Sequence, residues 1–121
     1  MLEELQHQSD KSRRLNSLEQ ELVLCLLNES GEPISIDIQN LRVIDMDDGG
    51  MGSLYFLSNK KQRHERFFGQ SISKKIFYDI DDIVISITLN IDRDGDLFEL
   101  DIWRVDFQPV IRYPSCKQNK K

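Results

Sequence analysis

The stretch Ile83-Val-Ile-Ser-Ile-Thr-Leu-Asn-Ile-Asp92 alternates apolar with smaller or polar residues without a break. Asp92-Arg-Asp-Gly-Asp96 follows it, and then a second β-forming run, Leu97-Phe-Glu-Leu-Asp-Ile-Trp-Arg-Val-Asp-Phe107. Period two over that length marks a half-buried antiparallel strand. Gly95 can take a positive φ between the runs, so together they read as a hairpin at the centre of a sheet. Upstream, residues 74–80 also alternate and turn at Asp81-Asp82, while residues 41–46 and 51–57 flank a glycine-rich turn as another hairpin. Ile34, Ile36 and Ile38 extend the first strand or add a short one, and residues 59–71 read as a mobile polar loop.

Ahead of Pro33 the period changes. Leu15, Leu18, Leu22, Cys25 and Leu26 recur at helical spacing, Ser17 with Gln20 reads as a capping box, and Gly31 followed by Pro33 as a stop. Val23, Leu24 and Leu27 widen the apolar stripe, as expected of a helix lying against a sheet. The fold class expected is therefore α+β, an N-terminal helix packed on an antiparallel β-meander of about five strands. Residues 15–114 form the single domain, preceded by a flexible or short helical arm over 1–14 and followed by a disordered basic tail over 115–121.

A chain of 121 residues can bury one ordinary hydrophobic core without metals or disulfides. Cys25 lies in the helical run and Cys116 in the polar tail, without the spacing of a disulfide framework or a zinc knuckle. Both are expected to be reduced thiols in a cytoplasmic protein. No apolar run approaches a membrane span, and Met1-Leu-Glu-Glu-Leu-Gln-His lacks the pattern of a signal peptide.

The net charge of −5 is unevenly distributed. Residues 79–106 hold nine acids against Arg93 and Arg104, whereas residues 58–75 hold six lysines and arginines against Glu65. Such an acidic sheet repels nucleic acid and attracts a basic protein. Solvated turns and strand faces are the plainer account of the same charges.

The second run of the hairpin carries a conflict. Phe98, Leu100 and Ile102 share one face, while Leu97, Trp103, Val105 and Phe107 share the other with Glu99 and Asp101. A bulge near Ile102-Trp103 would swing the later aromatics into the core; an unbroken strand would leave them as an exposed patch beside acids. The inward arrangement is the expectation, because buried aromatics are commoner. The outward one would make an interaction site or a homodimer interface.

The remaining motifs carry little chemistry. Asp47-Asp48-Gly49-Gly50-Met51-Gly52-Ser53 has glycines but no P-loop lysine and no following helix, so it reads as a tight turn allowing close backbone approach. Ser53 lacks the strand–turn–helix setting and the placed histidine of a nucleophile. Asp92, Asp94 and Asp96 lack the glycine and glutamate positions of a calcium loop. His7 in the arm and His64 in the basic loop read as solvent-facing, and Phe67-Phe68 as a loop anchor rather than a base-stacking pair. No catalytic residue, metal ligand or cofactor is assigned.

The combination Val43-Ile-Asp-Met-Asp-Asp-Gly-Gly-Met-Gly-Ser-Leu54, the segment 79–96 and Leu97-Phe-Glu-Leu-Asp-Ile-Trp-Arg-Val-Asp-Phe107 resembles a family of small bacterial domains of unknown function. The resemblance covers roughly residues 42–114, more loosely 15–27. It implies lysine as common at the position of Arg104 and glycine at that of Asp82. In size, acidity and build the chain is also similar in type to immunity proteins of toxin systems. Two functions of different class follow. One is a non-enzymatic protein-binding module, immunity-like in type, with Glu99, Asp101, Trp103, Arg104 and Asp106 as its partner surface and a basic protein or a second copy as partner. The other is a small metal-dependent hydrolase with Asp47, Asp48, Glu99 and Asp101 gathered around Gly49-Gly50, Ser53 being part of the same turn.

Overall fold

The computed structural model describes residues 11–117. Among the described residues six strands form one sheet: β1 (Arg13–Arg14), β2 (Arg42–Asp45), β3 (Leu54–Phe56), β4 (Phe68–Tyr78), β5 (Val84–Asp92) and β6 (Leu97–Arg104). The helix α1 (Ser17–Ser30) packs on β4 and β5. Every neighbouring pair is antiparallel, in the order β1-β2-β3-β6-β5-β4. The fold is thus α+β, with one strand more than expected. The β4-β5-β6 meander joins the β2-β3 hairpin through its last strand, which places β6 at the centre and leaves β4 as an edge.

Local chemistry sets each boundary of α1. Its N-cap is Asn16, whose side chain accepts from the Glu19 N–H while the Glu19 carboxylate accepts from the Asn16 N–H, so the capping box stands one residue before the expected Ser17–Gln20 pair. Gly31, at φ 72°, closes the helix in the left-handed conformation that a Cβ would disfavour. Leu22, Val23 and Leu26 are fully buried, and each contributes about 1.5–3 kcal/mol by leaving water. Leu18 and Leu24, expected in the stripe, face out at about half exposure.

The inner face of the sheet supplies the rest of the core through Val43, Leu54, Phe56, Phe77, Ile85, Ile87, Leu89, Leu100 and Ile102. Ile34, Ile36 and Ile38 form no strand and pack in a loop at its margin. Arg13–Arg14 turn the end of the expected arm into β1, because the Arg13 guanidinium pairs with both Glu19 of α1 and Asp45 of β2. His7 lies outside the described residues.

Two expectations about order and redox state need correction. Residues 59–71 contain a 3₁₀ turn, Arg63–Glu65, and the start of β4, and they are fixed by the buried Arg66. Cys25 and Cys116 are bonded to each other across 91 residues, so the thiols are not free and the C-terminal segment is fastened to α1 through residue 116. The distance in sequence hid the pairing: only the docked C-terminus brings Cys116 to the helix.

Candidate functional site

The face of the sheet opposite α1 carries the region singled out by sequence. Pairing between β5 and β6 runs without interruption from Ile85↔Arg104 to Asn90↔Glu99, so the strand is unbroken at Ile102-Trp103. The bulge lies at the other end, where Asn90↔Glu99 is followed by Ile91↔Leu97, making Phe98 the extra residue. It turns Leu97 into the core and sets Phe98 edge-on against Tyr55, ring centroids 5.5 Å apart. The inward arrangement of the later aromatics is therefore overturned: Trp103 is 43% exposed, Val105 41% and Phe107 69%.

These side chains form a continuous surface. Ser86 pairs with Ile76 on one side and Trp103 on the other, and Tyr78 pairs with Val84 in the next row, so Ile76, Tyr78, Trp103, Val105 and Phe107 share one open face. Trp103 and Phe107 contact each other at 5.9 Å between centroids. Asp101 and Glu99 continue the face toward the bulge, opposite Thr88 and Asn90. Phe107 adopts φ 64°, a genuine outlier for a bulky residue.

Arg104 does not join that surface. It is 4% exposed, and its guanidinium donates to Asp79 at 2.8 Å, to Asp81 at 2.6 and 3.0 Å and to Asp106 at 2.8 and 3.0 Å. Sequence reasoning missed Asp79 and Asp81 as its partners; the alternation putting residue 104 on the face of Leu100 and Ile102 was the available signal. Burial works against ionised Asp79, but N–H groups of Ile111, Arg112 and Ile80 together with Arg104 hold its pKa below the usual carboxylate range. The Arg104 hydrogen bond lowers Asp106 likewise.

The glycine turn is structural. Gly49, Gly50 and Gly52 take φ 75°, 83° and 100°, and a Cβ on Gly50 would lie 3.2 Å from Pro109. Asp48 accepts from the N–H groups of Met51 and Ser53. The Ser53 hydroxyl, in a 3% exposed residue, donates to the Ile102 carbonyl at 3.1 Å and accepts from its N–H at 2.9 Å. It thereby replaces a backbone partner where β3 has not yet begun. Ser53→Ala is expected to leave both groups unpaired and to cost about 1–3 kcal/mol, read as a lower urea midpoint at unchanged slope.

Asp92, Asp94 and Asp96 surround an internal cation. Lys61 Nζ lies 2.7, 2.9 and 3.0 Å from them, and the buried Arg66 donates to Asp92 at 2.9 Å. The basic loop and the acidic turn thus largely cancel. Burial disfavours ionised Asp92, yet Lys61, the Asp96 N–H, Arg66 and the Asp94 N–H outweigh it and hold its pKa at about 2. A lowered carboxylate pKa adds stability above the unfolded value, and that stability disappears as pH falls through the folded one. The thermal midpoint is therefore expected to be level near pH 6 and to drop between about pH 4 and about pH 2, with a shallower drop in Asp92→Asn.

Asp47, Asp48, Glu99 and Asp101 form no group of three with ligand atoms within 4.8 Å of one another. Among the described residues, the only trio of His, Cys, Asp or Glu with ligand atoms within 4.8 Å of one another is Cys25, Glu29 and Cys116. Its sulfurs are bonded to each other and Glu29 accepts from Lys75. His64 and Phe67 are exposed, and the loop's anchor is Arg66 rather than the phenylalanine pair. No described helix is long and apolar enough to cross a membrane.

No curated protein and no solved structure matches the chain. A family model does, over residues 12–114, from the residue before β1 through β6 to the segment packed on the glycine turn. By that match the chain belongs to the family described as Domain of unknown function (DUF6984).

Proposed function

We propose that this protein is a non-enzymatic binding module that docks a protein partner on the open face of its sheet, around Trp103. The observation that carries the reading is Phe107, a large apolar side chain held both exposed and in a strained backbone conformation against Trp103. Neither exposure nor strain helps the isolated fold. Ile76, Tyr78 and Val105 extend the apolar area, and aromatic anchors of this kind concentrate binding energy. Asp101, exposed beside Trp103, and Glu99 give the face an acidic border, which favours a basic partner. Arg104 supports the surface from below, and Asp106 is tied to it. A role like that of toxin-system immunity proteins rests on size, acidity and build. The bonded cysteine pair removes the argument from free thiols to a cytoplasmic setting.

A photo-crosslinking residue at Val105 tests the reading in the source cell, with Trp103→Ala and Asp101→Lys as variants. Loss of the crosslinked partner in either variant is expected, with capture weakening as salt rises. Unchanged capture by both would sink the proposed surface; a partner identified as this same chain, with sedimentation as a dimer, would replace the basic partner by a second copy. Phe107→Gly separates binding from folding. It is expected to raise stability by about 1 kcal/mol through relief of the left-handed strain while abolishing capture.

A further inference from the structure

A cleft of about 570 Å³ opens at the end of the sheet where β2 begins and β3 ends, lined in part by Leu41, Arg42, Tyr55, Leu57, Asn59 and Arg63. Its size is that of a small-molecule site. Tyr55 is 2% exposed, and its hydroxyl is buried with no hydrogen-bond partner among the described residues. A buried hydroxyl is ordinarily paired, and Tyr55 lines the cleft, so its unpaired hydroxyl is a donor beside the cleft without an acceptor.

The charges around it have one sign in excess. Arg42 donates to the hydroxyl and carbonyl of Ser12, both neutral acceptors, so its positive charge is not cancelled there. Arg63 lies over the Tyr55 ring with its guanidinium carbon 4.5 Å from the ring centroid, a contact that fixes the group and leaves its charge in place. Lys61 also lines the cleft but is occupied by Asp92, Asp94 and Asp96. The one lining carboxylate, Asp37, accepts from the Asn40 amide. Two guanidiniums and a phenol hydroxyl suit an oxyanion, since an arginine fork matches carboxylate and phosphate oxygens. Ile36, Leu41 and Leu57 supply an apolar wall beside them.

The geometry points to a binding site for a small organic anion, one phosphate or carboxylate group carried on an apolar ring, with Arg42, Arg63 and the Tyr55 hydroxyl taking the anionic end and Leu41 and Leu57 the ring. The cleft shares no lining residue with the face around Trp103, so either can fail without the other.

Phenyl phosphate, inorganic phosphate and phenol are the probes, titrated at millimolar concentration into the full chain while backbone amide resonances are followed. Phenyl phosphate is expected to shift the amides of Asn40, Arg42, Ser58 and Asn59 and to bind more tightly than either fragment. Arg42→Gln and Arg63→Gln are each expected to weaken it about tenfold, the loss of one charge-assisted hydrogen bond. Tyr55→Phe, which keeps the ring under Arg63, is expected to weaken it several-fold with an unchanged thermal midpoint. Equal shifts from phenol and phenyl phosphate would overturn recognition of the anion. Binding of phenyl phosphate that none of the three variants alters would show an adventitious ion only, and no shift at those amides would overturn the site altogether.

Discussion

Arg66→Met is expected to lower the unfolding free energy by about 3–5 kcal/mol, the range for leaving a buried charge without its partner. The Arg66 side chain is 1% exposed and that of Asp92 2%. Its Nε donates to Asp92 at 2.9 Å, one Nη donates to the Phe56 carbonyl at 2.6 Å and the other to the Leu97 carbonyl. The fork therefore closes the end of the sheet where β3 finishes and β6 starts, and it lies within 5.6 Å of Tyr55 and 5.1 Å of Phe98. Methionine fills the apolar space but leaves two buried carbonyls without the guanidinium and Asp92 with Lys61 as its remaining cation beside the Asp94 and Asp96 N–H groups. Arg66→Lys keeps the charge without the fork and should fall between. Combining Arg66→Met with Asp92→Asn should cost less than the sum of the single losses, because the asparagine no longer presents an uncompensated charge. Urea unfolding measures all three, and a loss under about 1 kcal/mol for Arg66→Met would show that the network is replaceable by packing.

That network also marks the boundary of what sequence could reveal. The β5–β6 hairpin was legible because one face is buried and period two survives in the residues, and α1 because its stripe and Gly31 stop are local. Tight-turn character was legible in Gly49-Gly50, since positive φ leaves its mark on composition. The burial of Arg66 was not, because nothing in Arg63-His-Glu-Arg66 distinguishes a surface arginine from one whose acceptors lie on three other segments. β1 is two residues long and exists only because β2 is there to pair with it. β4 begins six residues before the expected Lys74, across two register shifts that break the alternation.

The site was legible in part. Both possible orientations of Trp103 were readable from a strand with apolar residues on each face, but the choice depended on where a bulge fell, and it fell at Phe98. Net charge over a segment also hides which of its charges are paired. Six of the nine acids in residues 79–106 are paired: Asp79, Asp81 and Asp106 with Arg104, and Asp92, Asp94 and Asp96 with Lys61. What stands out on the open face is accordingly its aromatic area, with Asp101 and Glu99 setting the sign of its border. Substitutions that only alter net charge elsewhere should leave partner capture alone, whereas Trp103→Ala should not.

Opening the Cys25–Cys116 bond is the second large effect, and it should leave that open face intact. The bond joins residues 91 apart, so the loop-entropy account gives roughly 4–5 kcal/mol, and measured removals run about 2–5 kcal/mol. The loss should appear as a lower urea midpoint for Cys116→Ser, and for the unaltered protein after reduction, with no further change when the variant is reduced. The tail keeps other holds after reduction: the Ser115 hydroxyl donates to Glu21 at 2.8 Å, and N–H groups of Ile111 and Arg112 donate to Asp79. Residues 108–114 should therefore stay docked on the glycine turn and Ser115 on Glu21 of α1, while residues 116 and 117 loosen. Trp103 sits in a register set by β5, so its fluorescence below the unfolding transition should not move. A midpoint indifferent to reduction, with both thiols shown to be released, would mean that packing alone holds the C-terminus; a shifted Trp103 signal in the folded state would mean that the bond also shapes the open face.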